Sequence, residues 1–273
     1  MKLQANLYRA AVYAGAAFSV GVLVLIVGYI LIKGIPHLSP ELFAWEYNST
    51  NVSMMPAIIN TLLMTLLSLL VCVPLGIGAA IWLTEYAPRG SRLVKLVRMT
   101  AETLSGIPSI IFGLFGSLFF VVAMGMGLSL LSGALTLSIM VLPTIMRTTE
   151  EALLAVPDSY REGSFGLGAG RLRTTFKVVL PSAVPGILSG VILAIGRIVG
   201  ETAALIYTAG TVAKVPGSLL DSTRTLAVHM YTISTEGLYI DQSYATAVVL
   251  LVLVLAINSM SAFIAKRIEG KRA

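Results

Sequence analysis

The chain is 273 residues long, 56% of them hydrophobic and 12% charged, with a net charge of +6 and a mean hydropathy of +0.89. So little polar surface cannot cover a water-soluble globule, which makes the lipid bilayer the solvent of the fold. The basic excess does not indicate a nucleic-acid partner: Lys and Arg flank apolar segments, no DNA- or RNA-binding motif accompanies them, and membrane topology accounts for them.

A bilayer core about 30 Å thick takes about 20 apolar residues per helix. Six segments qualify, at 10–32, 57–83, 103–124, 128–145, 183–210 and 244–265, and predict an all-α polytopic membrane protein forming one domain over residues 1–273. In the first segment Lys2 and Arg9 precede about 22 apolar residues, longer than a signal-peptide core, so it reads as an uncleaved helix. The loop 33–56 carries Trp45 and Tyr47, aromatic residues suited to the headgroup interface. The second segment holds Cys72, the sole cysteine, which rules out a disulfide and reads as a small packing residue. Ser105-Gly106-Ile107-Pro108-Ser109 opens the third as a flexible approach or as close packing of small residues, and Pro74, Pro143 and Pro185 are expected to bend other spans.

The basic residues set the orientation. With the N-terminus inside, 15 of them lie on the cytoplasmic side (Lys2, Arg9, Arg89, Arg92, Lys95, Arg98, Arg147, Arg161, Arg171, Arg173, Lys177, Lys266, Arg267, Lys271 and Arg272); Lys33, Lys214 and Arg224 lie outside, and Arg197 lies within a span. Both termini and the polar loop 147–181 then face the cytoplasm. In that loop Pro157 suits a first helical turn, Asp158 and Glu162 lie near the positive end of the helix, and Gly168-Ala169-Gly170 permits a sharp turn. A second piece, 171–179, places Leu172, Phe176 and Val179 at helical spacing before the stop at Leu180-Pro181. So short a helix needs a surface to pack on. That surface is either a soluble partner or the chain's own helix ends. No Gly-rich stretch ends in Gly-Lys-Ser/Thr, so no phosphate-cradling motif for ATP is present.

The fifth segment carries Arg197, whose insertion at mid-membrane costs about 2.5–3.5 kcal/mol. Glu201, four residues on, is placed for an internal salt bridge, and Gly186, Gly190, Arg197, Glu201, Ala204 and Thr208 share a helical stripe about 60° wide. The stripe reads as an anion pathway, as a packing seam, or as a proton relay. The loop 211–243 is expected to lie along or re-enter the membrane, or to be a plain surface loop. His37 and His229 lack metal-site spacing and read as surface or interface residues, so no metal site is expected.

The spacing Glu162-Gly163-Ser164, three residues, Gly168, nine residues, Val178, one residue, Leu180-Pro181 resembles the EAA loop of permease subunits in bacterial ABC importers, with Gly163 and Ser164 in place of two alanines and Val178 in place of Ile. The run from Gly196 to Leu205, continuing through Thr208-Ala209-Gly210, is similar to the ARAxGETAPL…TAG segment of phosphate-specific transport permeases, closest to those of the PstA type; Gly196 replaces an Ala and Ala204 a Pro. The stretches 106–114 and 225–231 share the likeness, which runs from the second helix onward. The resemblance implies a type I ABC importer permease fold in a bacterial cytoplasmic (inner) membrane. It implies a second homologous permease, two ATPase subunits that seat the loop and carry ATP and Mg, and an extracytoplasmic phosphate-binding protein. The permease itself would bind no cofactor and catalyse no reaction. Phosphate passage would involve Arg197, Glu201 and Thr208, with Glu201 holding Arg197 at rest and yielding it when the path opens. Sulfate or molybdate as cargo, or a self-contained secondary transporter, are the competing readings.

Overall fold

The computed structural model describes residues 2–88 and 90–270; Arg89, Lys271 and Arg272, counted above among the basic flanks, lie outside them. In chain order the helices are α1 (Lys2–Gly34), α2 (Met55–Ile81), α3 (Arg92–Ser105), α4 (Ser109–Gly116), α5 (Leu130–Leu154), α6 (Asp158–Gly166), α7 (Arg171–Thr174), α8 (Leu180–Val199), α9 (Ala203–Thr208), α10 (Leu226–Glu236) and α11 (Ile240–Gly270). Wider π-helical turns prolong α2 (Trp82–Tyr86) and α4 (Ser117–Ala123) and join α7 to α8 (Thr175–Val179). No strand occurs among the described residues.

Among the described residues, five runs are long and apolar enough to cross a membrane: Tyr8–His37, Met55–Tyr86, Leu130–Leu154, Arg171–Val199 and Ile240–Arg267. The sixth expected span, 103–124, is not one helix. Its two parts, Arg92–Ser105 and Ser109–Ala123, meet at 104°. Pro108 is the cause: it disfavours helical backbone at the residue before it, and it sits in extended conformation (φ −58°, ψ 141°) as the N-cap of α4. The second arm, eight α-helical and seven π-helical residues, reaches only about 22 Å. The first arm, α3, is amphipathic: Val94, Arg98 and Ala101 share the face turned to α5, and Lys95 and Glu102 lie outward.

Two further expectations change at the other spans. The fourth does not end at 145: α5 continues nine residues to Leu154 as a polar extension braced by Arg147 and Glu151, 3.1 Å apart. Nor is 183–210 one helix. Pro181 is not a stop, because it occupies the first turn of α8, where a missing N–H is tolerated, directly after the π-helical turn. The helix therefore runs unbroken from Arg171 to Val199 and ends instead at Gly200.

The core centres on α5, which packs against α2, α3, α4, α8 and α9. Met64, Cys72, Leu137, Met140, Ile145, Ile198 and Leu205 interlock there. Between α2 and α5 the Ser138 hydroxyl donates to the Ser68 carbonyl (3.0 Å), the interhelical hydrogen bonding common where lipid removes the hydrophobic drive. At Gly113 a Cβ would stand 2.7 Å from the Ala204 Cα, so only glycine lets α4 approach α9. α1 packs along α11 and leaves most of its apolar surface exposed.

Candidate functional site

The loop between α5 and α8 is built around Arg161. Its guanidinium, on the outward helix α6, meets Glu85 at the end of α2 (Nη2 to Oε1, 2.8 Å), and donates to the carbonyls of Val156 (2.8 Å) and Leu153 (2.9 Å). Asp158 adds a weaker, exposed contact at 3.3 Å. Five donors in a fixed fork suit Arg to such a junction, so one side chain fixes α6 to the ends of two long helices. Nearby, Arg98 of α3 donates to buried Glu150 of α5 (2.6 Å), and the Arg171 guanidinium lies 5.8 Å above the Tyr86 ring. Neither Arg161 nor Glu85 was singled out from the sequence, because nothing in their spacing pairs residues 76 positions apart.

The loop residues picked out by spacing take distinct places. Glu162 and Gly163 are exposed on α6; the Ser164 hydroxyl reaches Thr174 of α7 at 2.8 Å. Gly168 turns the chain with φ +80°, a conformation that other residues resist. Val178, Leu180 and Pro181 lie along the continuous helix rather than closing a separate short one. Apolar side chains face outward around this turn: Tyr160, Phe165, Leu172 and Phe176 are about half exposed or more, and Leu167 is 90% exposed.

At the far end of the same helix, Arg197 stands in the last turn of α8, half-buried, with no ion-pair partner among the described residues. The expected salt bridge to Glu201 is absent because the helix that would have aligned them breaks at Gly200. Glu201 is buried, and its Oε1 accepts the Ala204 N–H (3.1 Å), capping α9 from the residue before its N-cap. The picture of Glu201 holding Arg197 at rest is therefore not what this conformation contains. Thr208 is fully buried and donates to the Ala204 carbonyl (2.8 Å), while a Cβ on Gly116 would fall 2.9 Å from its methyl. Gly186 and Gly190 face α5 instead: a Cβ on either would strike Ala152 or Thr148. The six-residue stripe thus divides into a packing seam on α8 and a separate turn at Glu201.

His229 also departs from expectation. It is wholly buried in α10, not on a surface, and burial followed by the nearby Arg224 charge lowers its pKa from 6.5 to about 3. Its sequence surroundings, Leu226, Val228 and Ile233, are the buried face of the same short helix.

Residues 72–271 match the family described as the inner membrane component of binding-protein-dependent transport systems. The chain belongs to this family. The permease is 35% identical over 246 residues to YqgI of Bacillus subtilis, a probable ABC transporter permease protein, across 83% of this chain and 82% of that one. It is 32% identical to the phosphate transport system permease protein PstA of Mycobacterium leprae (76% and 68% covered) and 30% identical to PstC of Mesorhizobium japonicum (84% and 78%). In fold it is similar to a bacterial alginate ABC transporter solved with an alginate-bound periplasmic protein (TM-score 0.67, 19% identity, 97% and 99% covered). The methionine ABC transporter MetNI in an inward facing conformation gives a TM-score of 0.62 at 23% identity, covering 78% of the permease and 94% of that chain. These place the permease among type I ABC importer subunits, all-helical and multi-pass, with phosphate-system proteins among its relatives.

Proposed function

We propose that the permease is the non-catalytic translocation subunit of an ATP-driven importer of inorganic phosphate in a bacterial inner membrane. The observation that carries this reading is Arg197: a permanently charged, multidentate donor at the end of a membrane-crossing helix, with no counter-ion among the described residues. A cation so placed is compensated when an anion passes, and a guanidinium matches the oxygens of phosphate. The names carried by its phosphate-system relatives support the cargo. In this reading the outward apolar turn of α6, with Glu162, Gly163, Ser164 and Gly168, seats in a separate ATPase that binds ATP and Mg. A second permease, a second ATPase and an extracytoplasmic phosphate-binding protein complete the machine. Glu201 and Thr208 shape the path by holding α9 in place.

Proteoliposomes containing the permease with its partner subunits provide the test, by ATP-dependent uptake of phosphate against sulfate. Phosphate accumulates and sulfate does not; Arg197→Gln abolishes uptake while the complex still assembles. Sulfate transport at an equal rate, or full phosphate uptake by Arg197→Gln, defeats the reading.

A further inference from the structure

The end of the bundle opposite α6 holds a second cation without a counter-ion. Glu85, which binds Arg161 of α6, and Asn60 lie toward opposite ends of the α2 run, about 37 Å apart along the helix. Around Asn60 the loop before α2 and the loop before α10 close over one another, and four polar side chains meet inside. Arg224 is 4% exposed; its Nη1 makes one long contact to the Thr211 carbonyl (3.5 Å), its guanidinium lies 4.6 Å above the Tyr47 ring, and its Nε and Nη2 have no hydrogen-bond partner. Tyr47 also meets the His229 ring edge-on at 6.1 Å; neither His229 nitrogen makes a hydrogen bond of good geometry, and the Val52 backbone is the polar group nearest to one of them. Asn60 donates through Nδ2 to the carbonyls of Lys214 (2.9 Å) and Arg224 (3.1 Å), which fixes its Oδ1 as a free acceptor, and the Thr225 hydroxyl is free as well.

Groups so buried are normally satisfied, and a buried guanidinium normally faces a carboxylate. None of the ion pairs among the described residues includes Arg224; the nearby Asp221 carboxylate accepts the N–H groups of its own turn, Gly217 (2.9 Å) and Ser218 (3.1 Å). The covering segment is strained where it touches the cluster: Val52, β-branched and 1% exposed, is the only non-glycine among the described residues with positive φ (+45°), and its backbone lies beside the His229 ring. Strain of this kind persists where the surrounding structure imposes it and marks segments with a second conformation worth seeking.

We propose that Arg224, Tyr47, Asn60, Thr225 and His229 form a closed receiving station for an oxyanion that carries a proton, taken up at this end of the bundle before it reaches Arg197. The inference rests on the oxyanion cargo proposed above. The unmatched groups state the ligand's chemistry. Arg224 supplies donors and a positive charge, a neutral His229 supplies one donor, and Asn60 Oδ1 requires a donor from the ligand. Hydrogen phosphate has oxygens for the first two and a P–OH for the third. Sulfate at neutral pH has no proton to give and leaves Asn60 Oδ1 orphaned, so the same groups discriminate between two anions of equal shape.

The test uses Trp45, 72% exposed and two residues from Tyr47, as the reporter in a Trp82→Phe background, with the full chain in lipid nanodiscs. Inorganic phosphate shifts Trp45 fluorescence saturably; sulfate and chloride at the same ionic strength do not. Arg224→Gln and, independently, Tyr47→Ala at the half-exposed edge of the cluster each weaken the phosphate response at least tenfold, whereas Arg197→Gln retains it. A response that is flat in the parent chain, equal for sulfate, or unchanged in both cluster variants overturns the station. Phosphate uptake by the assembled complex is measured in parallel. If uptake is phosphate-specific but the cluster variants bind and transport normally, the station fails alone; if the cluster binds phosphate but the complex transports another solute, the cargo reading fails and the site remains.

Discussion

Replacing Arg161 by Ala isolates the junction that fixes α6 to the bundle. The substitution strands Glu85, 9% exposed, without its cation, and frees two carbonyls at the end of α5. Breaking a buried ion pair on one side costs about 3–5 kcal/mol, and because Arg161 retains 16% exposure the low end, about 3 kcal/mol, is the appropriate figure. The exposed contact with Asp158 adds little. The loss falls on α6 locally, since α5 and α2 remain joined through their own core. Backbone amides of residues 158–167 should therefore exchange roughly 100-fold faster with deuterium, because each 1.4 kcal/mol of opening free energy is tenfold, while amides of 134–145 are unchanged. Adding Glu85→Gln to Arg161→Ala should restore part of the protection by removing the uncompensated charge. Equal exchange of α6 in the parent and in Arg161→Ala, measured by mass spectrometry on the detergent-solubilised chain, would refute the idea that Arg161 is what fixes this helix.

Three further outcomes follow from other contacts. A folded chain in which His229 titrates near 3, against 6.5 when unfolded, binds that proton less than the unfolded chain does, so stability is full above pH 6.5 and falls as pH drops toward 3, by up to about 4–5 kcal/mol; thermal unfolding of His229→Phe should lose most of that slope, and an unaltered slope would contradict it. Gly190→Ala drives a Cβ into the Thr148 hydroxyl, so the variant should lose about 1–3 kcal/mol in the melting of the purified protein, and Thr148→Ser, which removes the methyl but not the hydroxyl, should fail to relieve it. Glu201→Ala removes the cap on α9 and should cost about 1 kcal/mol, whereas Glu201→Gln keeps an acceptor and should be nearly silent in the same melt; equal loss in both would mean that the charge, not the cap, matters.

Long apolar runs declare themselves in the sequence because the bilayer sets their length, and so five of the membrane-crossing helices and the polar loop could be placed from composition. Their ends could not. Apolarity runs on through Gly200 and through Gly106-Ile107-Pro108, yet the backbone breaks at both, since Gly and Pro act on φ and ψ and not on hydropathy. The Arg197 and Glu201 pairing failed for that reason: i and i+4 are neighbours only while the helix continues. Conversely, Pro181 reads as punctuation but is accommodated within an unbroken run. The Arg161–Glu85 junction and the cluster of Tyr47, Asn60, Arg224 and His229 join residues that are distant in the chain. Periodicity within one element carries no trace of such meetings. An Arg and a His in a loop look solvated until a second loop covers them.

The unbroken run from Arg171 to Val199 makes α8 a lever arm. From the π-helical turn ending at Val179 to Arg197 is about 27 Å of continuous helix, with Pro185 within it. A tilt of about 10° pivoted at that turn sweeps the guanidinium through roughly 5 Å, more than the span between two oxygens of a tetrahedral oxyanion, whereas the loop end, close to the pivot, moves by only about 2 Å. In the proposed reading, where an ATPase seats the apolar turn of α6, small motions at that end are magnified where the charge resides.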